Sequence, residues 1–92
     1  MARVAGSALL NHEGGLHARP SIKVTQLAKR FQSAVWIGAL PEGPWIDAKS
    51  VASVMAMKLS SPRPLHFAAD GPDAAAAVDA LVKLVESDFA GA

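Results

Sequence analysis

The chain has 92 residues and a formal net charge of +1, which results from nine Lys and Arg against eight Asp and Glu. Scattered charges, an aromatic content of only 5% and the lack of Tyr argue against a nucleic-acid-binding protein. No apolar run reaches the roughly 20 residues that span a bilayer, and neither a secretory signal nor a cysteine is seen, so we expect one soluble cytoplasmic domain over residues 1–92.

The first half of the chain predicts a strand, a helix and a hairpin of two further strands. Small apolar residues alternate weakly over residues 3–10, which is typical of a strand. A helix over 18–31 is expected from the spacing of four apolar residues that would share its buried face: Val24, Leu27, Ala28 and Phe31. Strands at 33–39 and 45–48 flank a segment rich in Pro and Gly, and this arrangement predicts a hairpin.

A short helix is expected after the hairpin. Ser50 is of a residue type that N-caps prefer, and the helix that it begins would carry Val51, Val54 and Met55 toward the core. The run 60–64, with two Ser and two Pro, ends this helix.

The last elements are a fourth strand over 65–69 and the longest helix. Asp70 and Asp73 stand where a helix start favours carboxylates, so we interpret them as capping residues without a catalytic role. The resulting order is βαββαβα. Four amphipathic strands covered by helices on one face predict an α+β fold with a four-stranded, mainly antiparallel sheet, open to solvent on its other face.

The segment Gly14-Gly15-Leu16-His17-Ala18-Arg19-Pro20 carries the chemistry, because a glycine turn brings His17 to the predicted start of the first helix. Backbone N–H groups at a helix start lack intrahelical partners, and the helix dipole adds partial positive charge, so this position favours an anion. The helix field and Arg19 disfavour a charged imidazole, which leaves a neutral ring nitrogen as the nucleophile. A phosphoryl group on His17 would then be bound by the backbone of Ala18 and Arg19 and by the Arg19 guanidinium.

The two other histidines are interpreted as ordinary surface or N-cap residues. Neither His12 nor His66 has a second ligand at metal-like spacing, and the chain has no Cys, so we expect no metal site. Met55, Met57 and Leu59 are similarly interpreted as packing in the core and at its rim.

The block Gly15-Leu16-His17-Ala18-Arg19-Pro20 closely resembles the active-site stretch of the HPr phosphocarriers of the bacterial phosphoenolpyruvate-dependent sugar phosphotransferase system. The resemblance covers nearly the whole chain, since residues 47–51 resemble the segment that leads into the family's second helix and residues 69–74 the entry to its last helix. The predicted βαββαβα order is also that of the family's open-faced β-sandwich, with three helices on one face of the sheet.

This resemblance implies a protein that carries a phosphohistidine intermediate rather than a turnover enzyme, without cofactor or metal, working in the cytoplasm as a monomer. His17 would be phosphorylated on Nδ1 by phospho-enzyme I and would pass the phosphoryl group to an EIIA protein or domain. Arg19 would be the electrostatic partner of that group. Neither a nucleic acid nor a membrane is an expected partner.

The resemblance also implies a regulatory residue and a docking surface. In some branches of the family, a serine at the position of Ser50 is phosphorylated by an ATP-dependent HPr kinase/phosphorylase, although Ser50 is equally explained as a plain N-cap. Partners of the family dock on an apolar patch beside the histidine, and the matching residues here are Ala18, Ile22, Val51, Ala52 and Met55.

Two alternatives share the same chemistry: an HPr paralogue in a nitrogen-related regulatory phosphorelay, and an HPr domain of a longer multidomain protein of the system. An alternative of another class is an interaction module whose histidine is never phosphorylated. The presence of both His17 and Arg19 weighs against that module.

Overall fold

The computed structural model describes residues 3–90, so residues 1, 2, 91 and 92 of the expected domain lie outside the described part of the chain. Within that part the elements follow the predicted βαββαβα order: β1 (Val4–Leu10), α1 (Ala18–Ala28), β2 (Ala34–Gly38), β3 (Ile46–Asp47), α2 (Val51–Ala56), β4 (Arg63–Asp70) and α3 (Ala74–Glu86). None of the three helices of residues 3–90 has the length and apolar character needed to cross a membrane.

The sheet has four strands in the order β1-β4-β2-β3, and every neighbouring pair is antiparallel. On β4, Leu65 and Phe67 are fully buried in the core, whereas His66 between them is half-buried on the other face. Val24 from α1 and Leu81 from α3 belong to the same core. The structure therefore confirms an α+β open-faced sandwich, whose core lies between the sheet and the helices.

Helix α1 is shorter than predicted and ends at Ala28. The amides of Arg30 and Phe31 donate to the carbonyl oxygens of Leu27 and Ala28, three residues back, so the chain continues in turns tighter than an α-helix. Phe31 still packs against the core. Because Phe31 contacts the core without being part of α1, the apolar spacing predicts a helix that is too long.

The predicted bounds of two strands are also wrong. Strand β4 extends beyond the predicted 65–69, because Arg63 pairs with Leu10 of β1 and Asp70 pairs with Ala34 of β2. Strand β3 is reduced from the predicted 45–48 to two residues that pair with β2 at the sheet edge. The partner strands, rather than the residues' own propensities, decide these ends.

Ser50 is the N-cap of α2, as predicted, and its Oγ accepts a hydrogen bond from the Ser53 amide at 3.3 Å. Val54 is buried, but the prediction that Val51 and Met55 also point toward the core is wrong, because they are 37% and 41% exposed. The short helix has apolar residues on more than the one face that the core covers. Packing against the core is confirmed for the two other residues interpreted in this way, Met57 and Leu59.

Asp73 begins α3, but its carboxylate does not cap the helix. The carboxylate accepts hydrogen bonds from the Ser33 hydroxyl at 2.6 Å and from the amides of Gln32 and Ser33, both at 2.9 Å. These hydrogen bonds lower the Asp73 pKa to about 2, and the bond from the Ser33 hydroxyl has the largest effect. The capping interpretation is therefore wrong for Asp73, which ties α3 to the loop between α1 and β2, and for Asp70, which is the last residue of β4.

Candidate functional site

His17 is held by a loop in which two glycines adopt left-handed conformations, with φ of 85° at Gly14 and 74° at Gly15. The Gly15 amide donates to the His12 carbonyl oxygen, and the Leu16 amide donates to the carbonyl oxygen of Leu59, both at 2.8 Å. Leu16 itself is buried in the core. The loop is thus anchored one residue before the histidine.

His17 is the N-cap of α1, as predicted, and its carbonyl oxygen accepts a hydrogen bond from the Ser21 amide at 3.0 Å. The imidazole does not cap the helix. The ring is exposed, and neither of its nitrogens is hydrogen-bonded within residues 3–90. Both nitrogens are therefore available for chemistry in the described part of the chain.

The backbone of Gly14 packs against one edge of the His17 ring. A Cβ built on Gly14 would lie 2.9 Å from Cδ2 and 3.2 Å from Nε2 of His17. The lack of a side chain at Gly14 therefore makes room for the ring.

The start of α1 has positive potential that no acidic residue of the first turn neutralises. The amides of Ala18 and Arg19 precede the first helical hydrogen bond, so they have no acceptor within the helix, and Pro20 has no N–H. Arg19 is exposed and forms no salt bridge with the acidic side chains of residues 3–90. This arrangement suits a tetrahedral anion attached to the His17 ring.

His17 and Arg19 open onto a cleft of about 350 Å³. Its walls come from the loop before α1, from the first turns of α1 and from the segment after α3: His12, His17, Arg19, Pro20, Lys23, Asp88 and Phe89. The structure thus brings the two predicted site residues together. It also adds four residues to which the sequence analysis gave no role in the site: His12, Lys23, Asp88 and Phe89.

His12, which the sequence analysis interprets as an ordinary histidine, lies on the wall of this cleft. Its Nδ1 lies 2.6 Å from Oδ1 of Asp88, and its ring centroid is 5.4 Å from that of His17. In the sequence, only the proximity of His12 to the motif could have indicated that it lies at this cleft, because Asp88 follows 76 residues later in the chain. His66 lies on β4 and does not line this cleft. Within residues 3–90, no group of three or more His, Cys, Asp or Glu side chains is arranged to hold a metal ion.

A second groove leads from His17 toward α2. Ala18 lines it from the α1 side, and Met55 and Leu59 line it from the opposite side. The five residues expected to dock a partner are all exposed on α1 and α2: Ala18, Ile22, Val51, Ala52 and Met55. We call these five residues the docking face; Ala18 and Met55 line the groove beside His17.

Ser50 lies half-buried at the N-terminus of α2, outside the cleft of His17. Its hydroxyl accepts from the Ser53 amide and donates to Ser53 Oγ at 3.0 Å. The structure therefore explains Ser50 as a cap.

Comparisons with known proteins find relatives along nearly the whole chain. Residues 5–87 match the family described as "PTS HPr component phosphorylation site". The phosphocarrier protein HPr of Cupriavidus necator is 41% identical over 75 residues, which are 82% of each chain. The multiphosphoryl transfer protein of Vibrio cholerae is 38% identical over 73 residues, which are 78% of this chain but only 18% of that protein. The crystal structure of HPr-C-His from Thermoanaerobacter tengcongensis is similar with a TM-score of 0.82 at 32% identity, covering 100% of this chain and 99% of that one.

Proposed function

The chain belongs to the HPr family of the phosphotransferase system, and on that basis we propose that His17 accepts a phosphoryl group from phospho-enzyme I and passes it to an EIIA protein or domain. The observation that carries this proposal is the exposed His17 ring at the start of α1, which has no hydrogen bond to either nitrogen within residues 3–90. Because neither ring nitrogen is hydrogen-bonded in that part of the chain, no hydrogen bond has to be broken there before the ring attacks phosphorus.

Nδ1 is the proposed acceptor atom, as the resemblance to the HPr phosphocarriers implies, and Gly14 leaves room for the ring because a Cβ there would lie 2.9 Å from Cδ2. The lone pair of Nδ1 forms the new N–P bond while the bond between phosphorus and the donor breaks, and that electron pair leaves with the donor. The proton of the neutral ring stays on Nε2. Onward transfer reverses these changes, with the EIIA nucleophile in the place of Nδ1.

The start of α1 supports the phosphorylated ring. The helix end carries partial positive charge, and Arg19 adds a full one. After transfer, the amides of Ala18 and Arg19 and the planar guanidinium face the new negative charge, and the guanidinium can bind two phosphoryl oxygens at once. These groups therefore stabilise the phosphorylated state of the carrier.

The exposure of the site allows the phosphoryl group to leave again. In-line transfer requires that the second protein reach phosphorus from the side opposite to the His17 nitrogen. The docking face includes the exposed apolar side chains of Ile22, Val51 and Met55, which a partner could cover. Enzyme I and the EIIA protein would use this face in turn, since each must approach the same ring.

Regulation through Ser50 belongs to the same proposal. A phosphate placed there by an HPr kinase/phosphorylase would stand next to Val51 on the docking face, where its charge would disfavour an acidic partner. At the N-terminus of α2 the helix itself would tolerate that charge. The proximity of Ser50 to this face supports the regulatory role beside its role as a cap.

Incubation with phosphoenolpyruvate and enzyme I tests the proposed function. We expect an acid-labile phosphoryl adduct, detected by intact-mass analysis, on the parent and on the control variant His66→Ala. His17→Ala should carry no adduct, and Arg19→Ala should be labelled more slowly than the parent. If His17→Ala is labelled as strongly as the parent, the proposal is wrong.

The alternatives with the same chemistry differ in their partners. The match to a small part of the Vibrio multiphosphoryl transfer protein is the observation that favours an HPr domain acting within a longer assembly. A pulldown with the phosphorylated protein, followed by identification of the bound proteins, distinguishes sugar-specific partners from those of a nitrogen-related phosphorelay.

A further inference from the structure

His12 and Asp88 form a pair on the wall of the His17 cleft that the proposed function leaves unused. Nδ1 of His12 lies 2.6 Å from Oδ1 of Asp88. Because an ionised carboxylate only accepts hydrogen bonds, Nδ1 of His12 must carry a proton and donate it. The pair thus leaves Nε2 as the nitrogen of His12 that a further group in the cleft can use.

The ring of His12 is close to His17 and is fixed in place. The two ring centroids are 5.4 Å apart, with 41° between the ring planes. Phe89 packs edge-on against His12, with centroids 5.4 Å apart, and the His12 carbonyl oxygen accepts hydrogen bonds from the Gly15 amide and the Ser61 hydroxyl. His12 therefore cannot swing away from His17 without losing contacts on two sides.

Asp88 is brought to His12 by the segment that follows α3. Asp88 and Phe89 have φ of 57° and 63°, a left-handed conformation that residues other than glycine rarely adopt. The Phe89 amide donates to the Leu84 carbonyl oxygen at 2.8 Å, and the Phe89 carbonyl oxygen accepts from Lys23 Nζ at 2.6 Å. Lys23 thereby ties this segment to α1, the helix that begins at His17.

The positively charged side chains around the cleft outnumber the negatively charged ones, so the cleft can bind one more anion. Arg19 and Lys23 contribute positive charge from α1, and Asp88 contributes negative charge from the segment after α3. A phosphoryl group on His17 would add a second negative charge near His12, beside that of Asp88. Two negative charges near an imidazole favour its protonated form.

We propose that His12 is a second histidine of the phosphoryl site: held by Asp88 through Nδ1, it donates a hydrogen bond from Nε2 to an oxygen of the phosphoryl group on His17. This role rests on the proposed function, because it needs the phosphoryl group on His17. His12 takes up one proton from solvent when His17 is phosphorylated, and no bond forms between His12 and phosphorus. Asp88 is a positioning residue, since it acts through His12.

The variant His12→Asn tests this role, with His66→Asn as the matched control on the other face of the sheet. Each protein is phosphorylated with phosphoenolpyruvate and enzyme I, and the fraction carrying the adduct at equilibrium is measured by intact mass. The loss of one charge-assisted hydrogen bond at a partly exposed site should shift the transfer equilibrium toward the donor roughly tenfold. His66→Asn should leave that equilibrium unchanged.

The variant Asp88→Asn tests the positioning role, with Asp79→Asn on the exposed face of α3 as its control. Asn keeps an acceptor for His12 Nδ1 but removes the charge, so we expect a smaller shift of about threefold. Nitrogen-15 NMR of the His12 ring supplies a readout that packing alone would not move. On phosphorylation of His17, the Nε2 resonance should move toward its protonated position in the parent and less so in Asp88→Asn.

Two results would overturn the role of His12. The first is equal phosphorylation of His12→Asn and His66→Asn, and the second is a His12 Nε2 resonance that phosphorylation leaves unchanged. If the parent itself takes no phosphoryl group from enzyme I, the proposed function fails and the role of His12 fails with it, so the parent sample distinguishes the two failures. If thermal unfolding shows that His12→Asn is not folded, the nitrogen-15 NMR comparison of Asp88→Asn with the parent tests the role of His12 instead.

Discussion

Asp73 and Ser33 exchange hydrogen bonds: the Ser33 hydroxyl donates to the Asp73 carboxylate at 2.6 Å, and the Asp73 amide donates to Ser33 Oγ at 3.1 Å. Ser33 is buried although it is polar, so the pair satisfies groups that would otherwise lack partners. The contact joins the start of α3 to the loop after α1. It therefore helps to set the positions of the two helices whose ends form the walls of the His17 cleft.

We expect acid to weaken the fold through Asp73. The Asp73 pKa falls from 3.8 to about 2 in the folded protein, so the unfolded chain binds the proton first as the pH falls. The stability that the ionised carboxylate contributes is present above about pH 4 and is lost as the pH falls through about 2. Urea unfolding should show a steeper loss of stability over this range for the parent than for Asp73→Asn.

The control for this titration is Asp79→Asn, which changes an exposed carboxylate of α3 and should keep the slope of the parent. Equal slopes for the parent and Asp73→Asn would show that the bonds to Ser33 do not control acid stability.

Substitution of Gly14 by alanine should disturb the His17 ring. The Cβ would lie 2.9 Å from the ring, and a φ of 85° costs a residue with a Cβ about 1–2 kcal/mol. We expect Gly14→Ala to lose stability and to accept the phosphoryl group from enzyme I more slowly. The initial rate of adduct formation measures this effect.

Gly43→Ala is the matched control, because Gly43 has a φ of 94° and lies in the loop between β2 and β3. It should lose similar stability but keep the rate of the parent. If both variants react at the rate of the parent, contact with Gly14 does not orient the ring.

The sequence predicts the parts of the site that depend on neighbouring residues. The position of His17 at the N-cap of α1 follows from the adjacent glycines and Pro20, and the motif that carries it is continuous. The pairs His12–Asp88 and Ser33–Asp73 join residues that are 76 and 40 positions apart, so no local pattern indicates them. Each depends on how the ends of α3 pack against the rest of the chain.

The exposure of Val51 and Met55 shows a second limit. Apolar spacing indicates which side chains share a face of a helix, but not what covers that face. In α2 the core covers Val54 and leaves those two side chains at the surface.

Ser50→Ala should destabilise the protein by about 1 kcal/mol, because the Ser53 amide loses the side-chain oxygen that caps α2. Ser50→Asn keeps a capping oxygen and should stay close to the parent. Urea unfolding of the three proteins measures the difference. Equal stability of Ser50→Ala and the parent would mean that this cap contributes nothing.

Met55→Glu should weaken binding of enzyme I roughly tenfold or more, because a charge at the centre of an apolar interface is desolvated without a partner. Leu40→Glu is the matched control, since Leu40 is 47% exposed but lies between β2 and β3, outside the docking face. Titration calorimetry with enzyme I gives both affinities. If the two variants bind equally well, partners do not use the docking face.

The account depends most on Nδ1 of His17 as the atom that takes the phosphoryl group. Nitrogen-15 and phosphorus-31 NMR of the phosphorylated protein can identify the bonded nitrogen directly through its coupling to phosphorus. We expect that coupling at Nδ1 of His17, with the ring of His66 unchanged. A phosphoryl group on Nε2 of His17, or on the ring of His12 or His66, would contradict the account.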